Sequence, residues 1–118
     1  VSSRRWQLRV EDILQAISAI QQRTNGLTFA EFQTNDMLVE SVLYKFIIIG
    51  EASANIPEEI QSLHPEVPWR LMSDMRNIIA HEYFRVNLTI VWGTIQNNLP
   101  LLIEPLQRLL TSEADNEL

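Results

Sequence analysis

Apolar residues recur at spacings of three and four along most of this 118-residue chain and never alternate over a useful length, so the pattern predicts helices and no strands. Leu8, Val10, Ile13, Leu14, Ile17 and Ile20 form one stripe, with Arg9, Glu11, Asp12, Gln15 and Gln22 on the wet side. This predicts a first helix over about residues 4–23, stopped by Thr24-Asn25-Gly26. Thr28 stands three residues before Glu31, the spacing of a capping box, so a short helical turn over about 28–33 should pack Phe29 and Phe32. The stretch from about 35 to 55 carries Met37, Leu38, Val42, Leu43, Phe46, Ile47, Ile48 and Ile49 and is apolar nearly all round its middle. It should be the central, most buried helix, and Pro57 forbids its continuation. Residues 57–63 allow another short turn, and His64-Pro65-Glu66-Val67-Pro68 reads as a proline-stiffened connection. Pro68 can occupy the first turn of a fourth helix running through Trp69, Leu71, Met72, Met75 and Ile79. A further helical stretch covers Leu88 to about Asn97, and Pro100 marks a kink or a break before Leu101, Leu102, Ile103, Leu106, Leu109 and Leu110. The expected architecture is one all-α domain over residues 1–110, an up-and-down bundle of four to five main helices plus short helical turns. Residues 111–118 are expected to form a short, acidic, frayed tail.

Composition narrows the chemistry. With 46% apolar and 20% charged residues the chain can bury a real core. The absence of cysteine removes disulfides, thiolate nucleophiles and zinc–thiolate sites, and two histidines, His64 and His81, leave little material for a metal cage, so neither metal nor cofactor is expected. Nine Lys+Arg against fifteen Asp+Glu give a net charge of -6, which argues against a general nucleic-acid coat; any nucleic acid must be met locally. Lys45 is the only lysine, so the positive charge is mostly arginine, which forks onto phosphates at defined sites. No apolar run approaches the roughly 20 residues that span a bilayer and no signal-peptide pattern opens the chain, so a cytoplasmic protein is expected. No Gly-rich turn between a strand and a helix is present, which excludes a nucleotide-binding fold of that kind.

Polar chemistry concentrates in Arg76-Asn77-Ile78-Ile79-Ala80-His81-Glu82-Tyr83, at the end of an otherwise apolar helix. At about 100° per residue, Asn77 and His81 share one stripe, so the amide can orient an imidazole, and Arg76 and Tyr83 share another. Arg76 and His81 lie roughly 140° apart, so they meet only if the arginine wraps, the helix end relaxes, or a second copy faces them across a two-fold seam. An ordinary imidazole, with a pKa near 6.5, moves protons at neutral pH, and a guanidinium stabilises a phosphoryl group whose charge grows in the transition state. That pair suits phosphodiester cleavage, and in RNA the tethered 2′-hydroxyl supplies the nucleophile without a metal. The same residues also allow a structural reading, in which Arg76 pairs with Asp74 or Glu51, Asn77 and His81 cap the helix, and Tyr83 anchors a loop. Gly50 would let another backbone or a ligand come close, and Glu51 beside it faces either the motif or solvent. His64 reads as a loop residue or helix-end partner, and Trp6, Trp69 and Trp92 as packing at the core or a dimer seam.

The run Met75-Arg76-Asn77-Ile78-Ile79-Ala80-His81-Glu82-Tyr83-Phe84 resembles the signature of the HepT-like branch of the HEPN superfamily, Arg-x4-6-His commonly followed by x-Tyr. The resemblance extends over roughly residues 8–110. It takes in Asp12-Ile13-Leu14 with Ala16-Ile17, Ile49-Gly50-Glu51-Ala52, Ile56-Pro57, His64 to Arg70, and Ile90-Val91-Trp92 with Leu99-Pro100. It implies an all-α HEPN bundle that pairs as a homodimer and acts as a metal-independent endoribonuclease, the toxin of a toxin–antitoxin pair. The implied partners are RNA as substrate and an MntA-type minimal nucleotidyltransferase antitoxin, in a complex larger than the dimer or not. Carried over, Arg76 stabilises the phosphate, His81 works in acid/base catalysis, Asn77 orients the site, and Tyr83 is the tyrosine that the antitoxin modifies with AMP, adding bulk and negative charge where RNA binds. Glu51 is a supporting candidate. Where relatives carry a polar or basic pair in the central helix, this chain has Tyr44-Lys45-Phe46. A non-catalytic partner or nucleotide-binding subunit of a nucleotidyltransferase is the alternative, because a fold and a motif do not by themselves guarantee turnover.

Overall fold

The stripe that opens the chain becomes helix α1, Arg4–Thr24, which sinks Trp6, Val10, Ile13, Ile17 and Ile20 into the core. A computed structural model describes residues 4–81 and 86–116. After α1 the backbone turns through Gly26, whose φ of 78° lies in the left-handed region that glycine enters without penalty. Helix α2, Phe29–Gln33, starts at the expected capping box: Glu31 N–H donates to Thr28 Oγ1 (3.1 Å) and Thr28 N–H to Glu31 Oε1 (2.9 Å). Helix α3, Asp36–Ala54, is capped by Asn35, whose Oδ1 accepts from Leu38 N–H.

Helix α3 is the centre of the bundle, with α1 packed on one flank and α5 on the other. It buries Val42, Leu43, Phe46, Ile49, Gly50, Ala52 and Ser53 and leaves Met37, Tyr44 and Glu51 in solvent on one stripe. A short helix α4, Glu58–Leu63, follows Pro57. His64 then closes the connection: its carbonyl accepts from Trp69 Nε1–H (3.0 Å) and its Nδ1 lies 3.4 Å from Glu66 Oε1, so it is a helix-end partner as expected. Helix α5, Trp69–His81, begins directly after Pro68 and buries Trp69, Met72, Met75 and Ile79.

Of the two courses open at Pro100, a kink or a break, the chain does not take the break. Helix α6, Leu88–Gly93, continues without a break through a π-helical turn, Thr94–Asn98, into α7, Leu99–Asn116, and Gly93, Thr94 and Leu99 all keep right-handed helical dihedrals. The Leu99 N–H reaches back five residues to Thr94 O. In an α-helix the Pro100 ring would press on the carbonyl four residues earlier, and widening the helix just before the proline is an alternative to breaking it. Residues 111–116 continue α7. α7 packs along α1, and α2 bridges α3 and α6, with the Phe32 ring 5.1 Å from that of Trp92. Every described element is helical, the all-α HEPN-type bundle that the resemblance implies. It is an elongated body of 49 × 29 × 21 Å. No described helix is long and apolar enough to cross a membrane.

Candidate active site

The polar cluster forms where α5 comes closest to α3. A Cβ added to Gly50 would lie 2.4 Å from Arg76 Cβ, 2.6 Å from Arg76 N and 3.0 Å from Arg76 Cα, so only glycine admits α5 at this height. The approach that Gly50 was expected to allow is made by the backbone of Arg76. It places the Arg76 side chain beside the next residue of α3, and Arg76 Nη1 donates to Glu51 Oε1 at 3.1 Å. Glu51 therefore faces the motif, and of the two carboxylates considered for Arg76 it is this one that pairs.

The other edge of the guanidinium is held from its own helix. Nε and Nη2 of Arg76 donate to Asn77 Oδ1 at 3.4 and 3.3 Å. The carbonyl end of Asn77 is thus engaged by the arginine, and any hold on an imidazole four residues on falls to its Nδ2 donors. The Arg76 side chain is 37% exposed and that of Glu51 53%, so the pair is oriented but wet. A wet pair contributes about 0–1 kcal/mol to stability, which makes geometry the larger part of its effect.

His81 is the last residue of α5, and by helix period its position shares the stripe of Asn77. Its side chain, and the whole of Tyr83, lie outside the described residues. The structure thus brings Arg76, Asn77 and Glu51 together and carries the backbone of His81 to the same end of α5. Among the other features weighed, Trp6 and Trp69 are buried core residues and Trp92 packs against Phe29 and Phe32. Of the atypical triplet in α3, Tyr44 is exposed, Phe46 is buried, and Lys45 lines a small groove with Asp12, Gln15 and Ile48. A cleft of about 460 Å³ lined by Gln21, Gln22, Asn25 and Gln96 contains no residue of the motif. The direct Arg76–Asn77 bond had no signal in the sequence, because neighbours in a helix point about 100° apart and meet only when the longer side chain wraps.

Residues 13–109 match the family described as Ribonuclease HepT-like. A protein of Thermococcus cleftensis named "Probable ribonuclease HepT" is 38% identical over 100 residues, 85% of this chain and 91% of its own length. Two proteins each named "Putative RNase" are also similar. One, from Caldanaerobacter subterraneus, is 36% identical over 88% of this chain and 93% of its own; the other, from Methanocaldococcus jannaschii, is 33% identical over 84% and 82%. No solved structure matches the chain at a significant level. A match covering most of the sequence, relatives of comparable length and the helical bundle itself agree: the chain belongs to the HepT-like ribonuclease family.

Proposed function

We propose that this HepT-like ribonuclease is a metal-independent endoribonuclease that cuts RNA in a composite cleft between two copies of the chain, with Arg76 and His81 as its working pair. The observation that carries the reading is the guanidinium of Arg76, held on two edges and part-exposed at the end of the helix that ends in His81. His81 takes the proton from the 2′-hydroxyl, and the 2′-oxygen attacks the adjacent phosphorus. The bond to the 5′-oxygen breaks as that oxygen takes a proton from a protonated histidine of the cleft, so the proton taken from the 2′-hydroxyl is balanced, leaving a 2′,3′-cyclic phosphate and a 5′-hydroxyl. Arg76 faces the non-bridging oxygens, where negative charge builds in the transition state. Because positions 76 and 81 point roughly 140° apart on one helix, a partner copy facing α5 is the direct way to bring an arginine and a histidine onto one phosphate.

In this reading the chain is the toxin of a HepT/MntA-type pair, and the antitoxin silences it by transferring AMP to Tyr83. The decisive experiment is cleavage of labelled RNA in EDTA by wild type and by His81→Ala, both shown folded by circular dichroism. Wild type should cut, and the variant should lose about 10²–10⁴-fold. Co-expression with the nucleotidyltransferase should add the mass of AMP to wild type and leave Tyr83→Phe unmodified. The Arg76–Glu51 pair also suits a non-catalytic partner subunit. That second reading is the one left standing if neither wild type nor variant cuts any RNA while the complex with the nucleotidyltransferase still forms.

A further inference from the structure

We propose that Glu51 and Asn77 are positioning residues that lock the Arg76 guanidinium on two edges and leave it presenting a two-donor fork to a substrate phosphate. This rests on the nuclease reading above. A guanidinium has five N–H groups, one on Nε and two on each terminal nitrogen. One on Nη1 goes to Glu51, and those on Nε and Nη2 that face Asn77 go to its Oδ1, so one N–H remains on each terminal nitrogen. The proposed lock places Glu51 on the Nη1 hydrogen that points back along the side chain, which leaves the other two side by side at the outer end of the group, the arrangement that bidentate contact with two phosphate oxygens requires. Gly50 completes the device by holding the Arg76 backbone against α3, so that Glu51 meets the guanidinium at a fixed height.

Removal of a wet ion pair changes stability little, whereas misplacement of a group that acts on the transition state costs rate. Glu51→Ala and Asn77→Ala should therefore keep the wild-type melting temperature within a few degrees, lower kcat by roughly 10–100-fold and change KM by less than about 3-fold. Glu51→Gln keeps an acceptor oxygen and should restore most of the rate. A readout without RNA is the Nε–H resonance of Arg76 in apo protein, which should be sharp and slow to exchange in wild type and broadened in Glu51→Ala and Asn77→Ala. Unchanged or faster cleavage by Glu51→Ala would overturn the proposal, since the carboxylate would then be a bystander or a competitor of the phosphate. If wild type cuts no RNA, the nuclease reading fails by itself; an Arg76 resonance indifferent to both variants would then overturn the lock as well.

Discussion

At Gly50 a single hydrogen separates two helices, and the site depends on it. An alanine there would have to push back Arg76 N and Cα, backbone atoms that cannot rotate away as a side chain would. Overpacking of this kind costs about 1–3 kcal/mol, and a clash with backbone belongs at the upper end. Gly50→Ala should therefore lower the melting temperature by about 10 °C or more, and cut RNA more slowly per folded molecule than Glu51→Ala, because it moves the arginine as well as loosening it. A thermal melt and a cleavage assay on the same preparation check both halves; an unchanged melt would mean that α5 can slide at no cost. Glycine beside glutamate at the end of an apolar helix already indicated that something comes close, and the spacing of Asn77 and His81 indicated a shared face. The identity of the approaching group was not legible, because a glycine announces room and not its occupant. Nor was the choice of Glu51 over Asp74, which depends on how two helices separated by a proline-stiffened connection are aligned.

Between elements, the legible features were those set by local rules. The capping box at Thr28 and the stop before Pro57 each rest on residues within one turn of one another, and each forms. The passage from α6 to α7 was less legible, because Pro100 states only that a regular α-turn is costly there. Tertiary packing decides between breaking and widening: Val91, Ile95, Leu99, Leu102 and Leu106 are all buried, and a continuous helix keeps them on one core face. The same packing makes α2 structural. Phe32 is fully buried against Trp92, so Phe32→Ala should cost about 3–5 kcal/mol, whereas half-buried Phe29, with its ring 6.3 Å from Trp92, should cost less on truncation. Glu51 lies fifteen residues beyond the start of α3, roughly 22 Å along its axis. Cleavage per folded molecule should survive Phe32→Ala at low temperature, and chemical denaturation followed by single-turnover cleavage separates the two effects. A loss of rate in the folded variant would show that α2 transmits to the site.

For the whole molecule, shape and surface bear on whether one copy suffices. The radius of gyration is 14.8 Å, against about 13.5 Å for a compact chain of this length. The central helix, which a larger bundle would cover all round, leaves Met37 and Tyr44 exposed at 83% and 60% on the same stripe as Glu51. An elongated slab with apolar side chains next to its polar cluster suits pairing through that face. Pairing makes a kinetic prediction that an isolated site does not. If Arg76 of one copy works with His81 of the other, an Arg76→Ala chain and a His81→Ala chain, each inactive alone, should regain activity on mixing. Random exchange makes half of the dimers mixed, and each mixed dimer retains one of its two arginine–histidine pairs, so the recovered rate should reach about a quarter of wild type. Exchange under mild denaturant, followed by cleavage of labelled RNA in EDTA, measures it. Recovery near that level would place the two residues in trans. No recovery from mixtures shown to contain mixed dimers would place them on one chain, and α5 would then have to loosen beyond Arg76 to let a single guanidinium and its own imidazole face one phosphate.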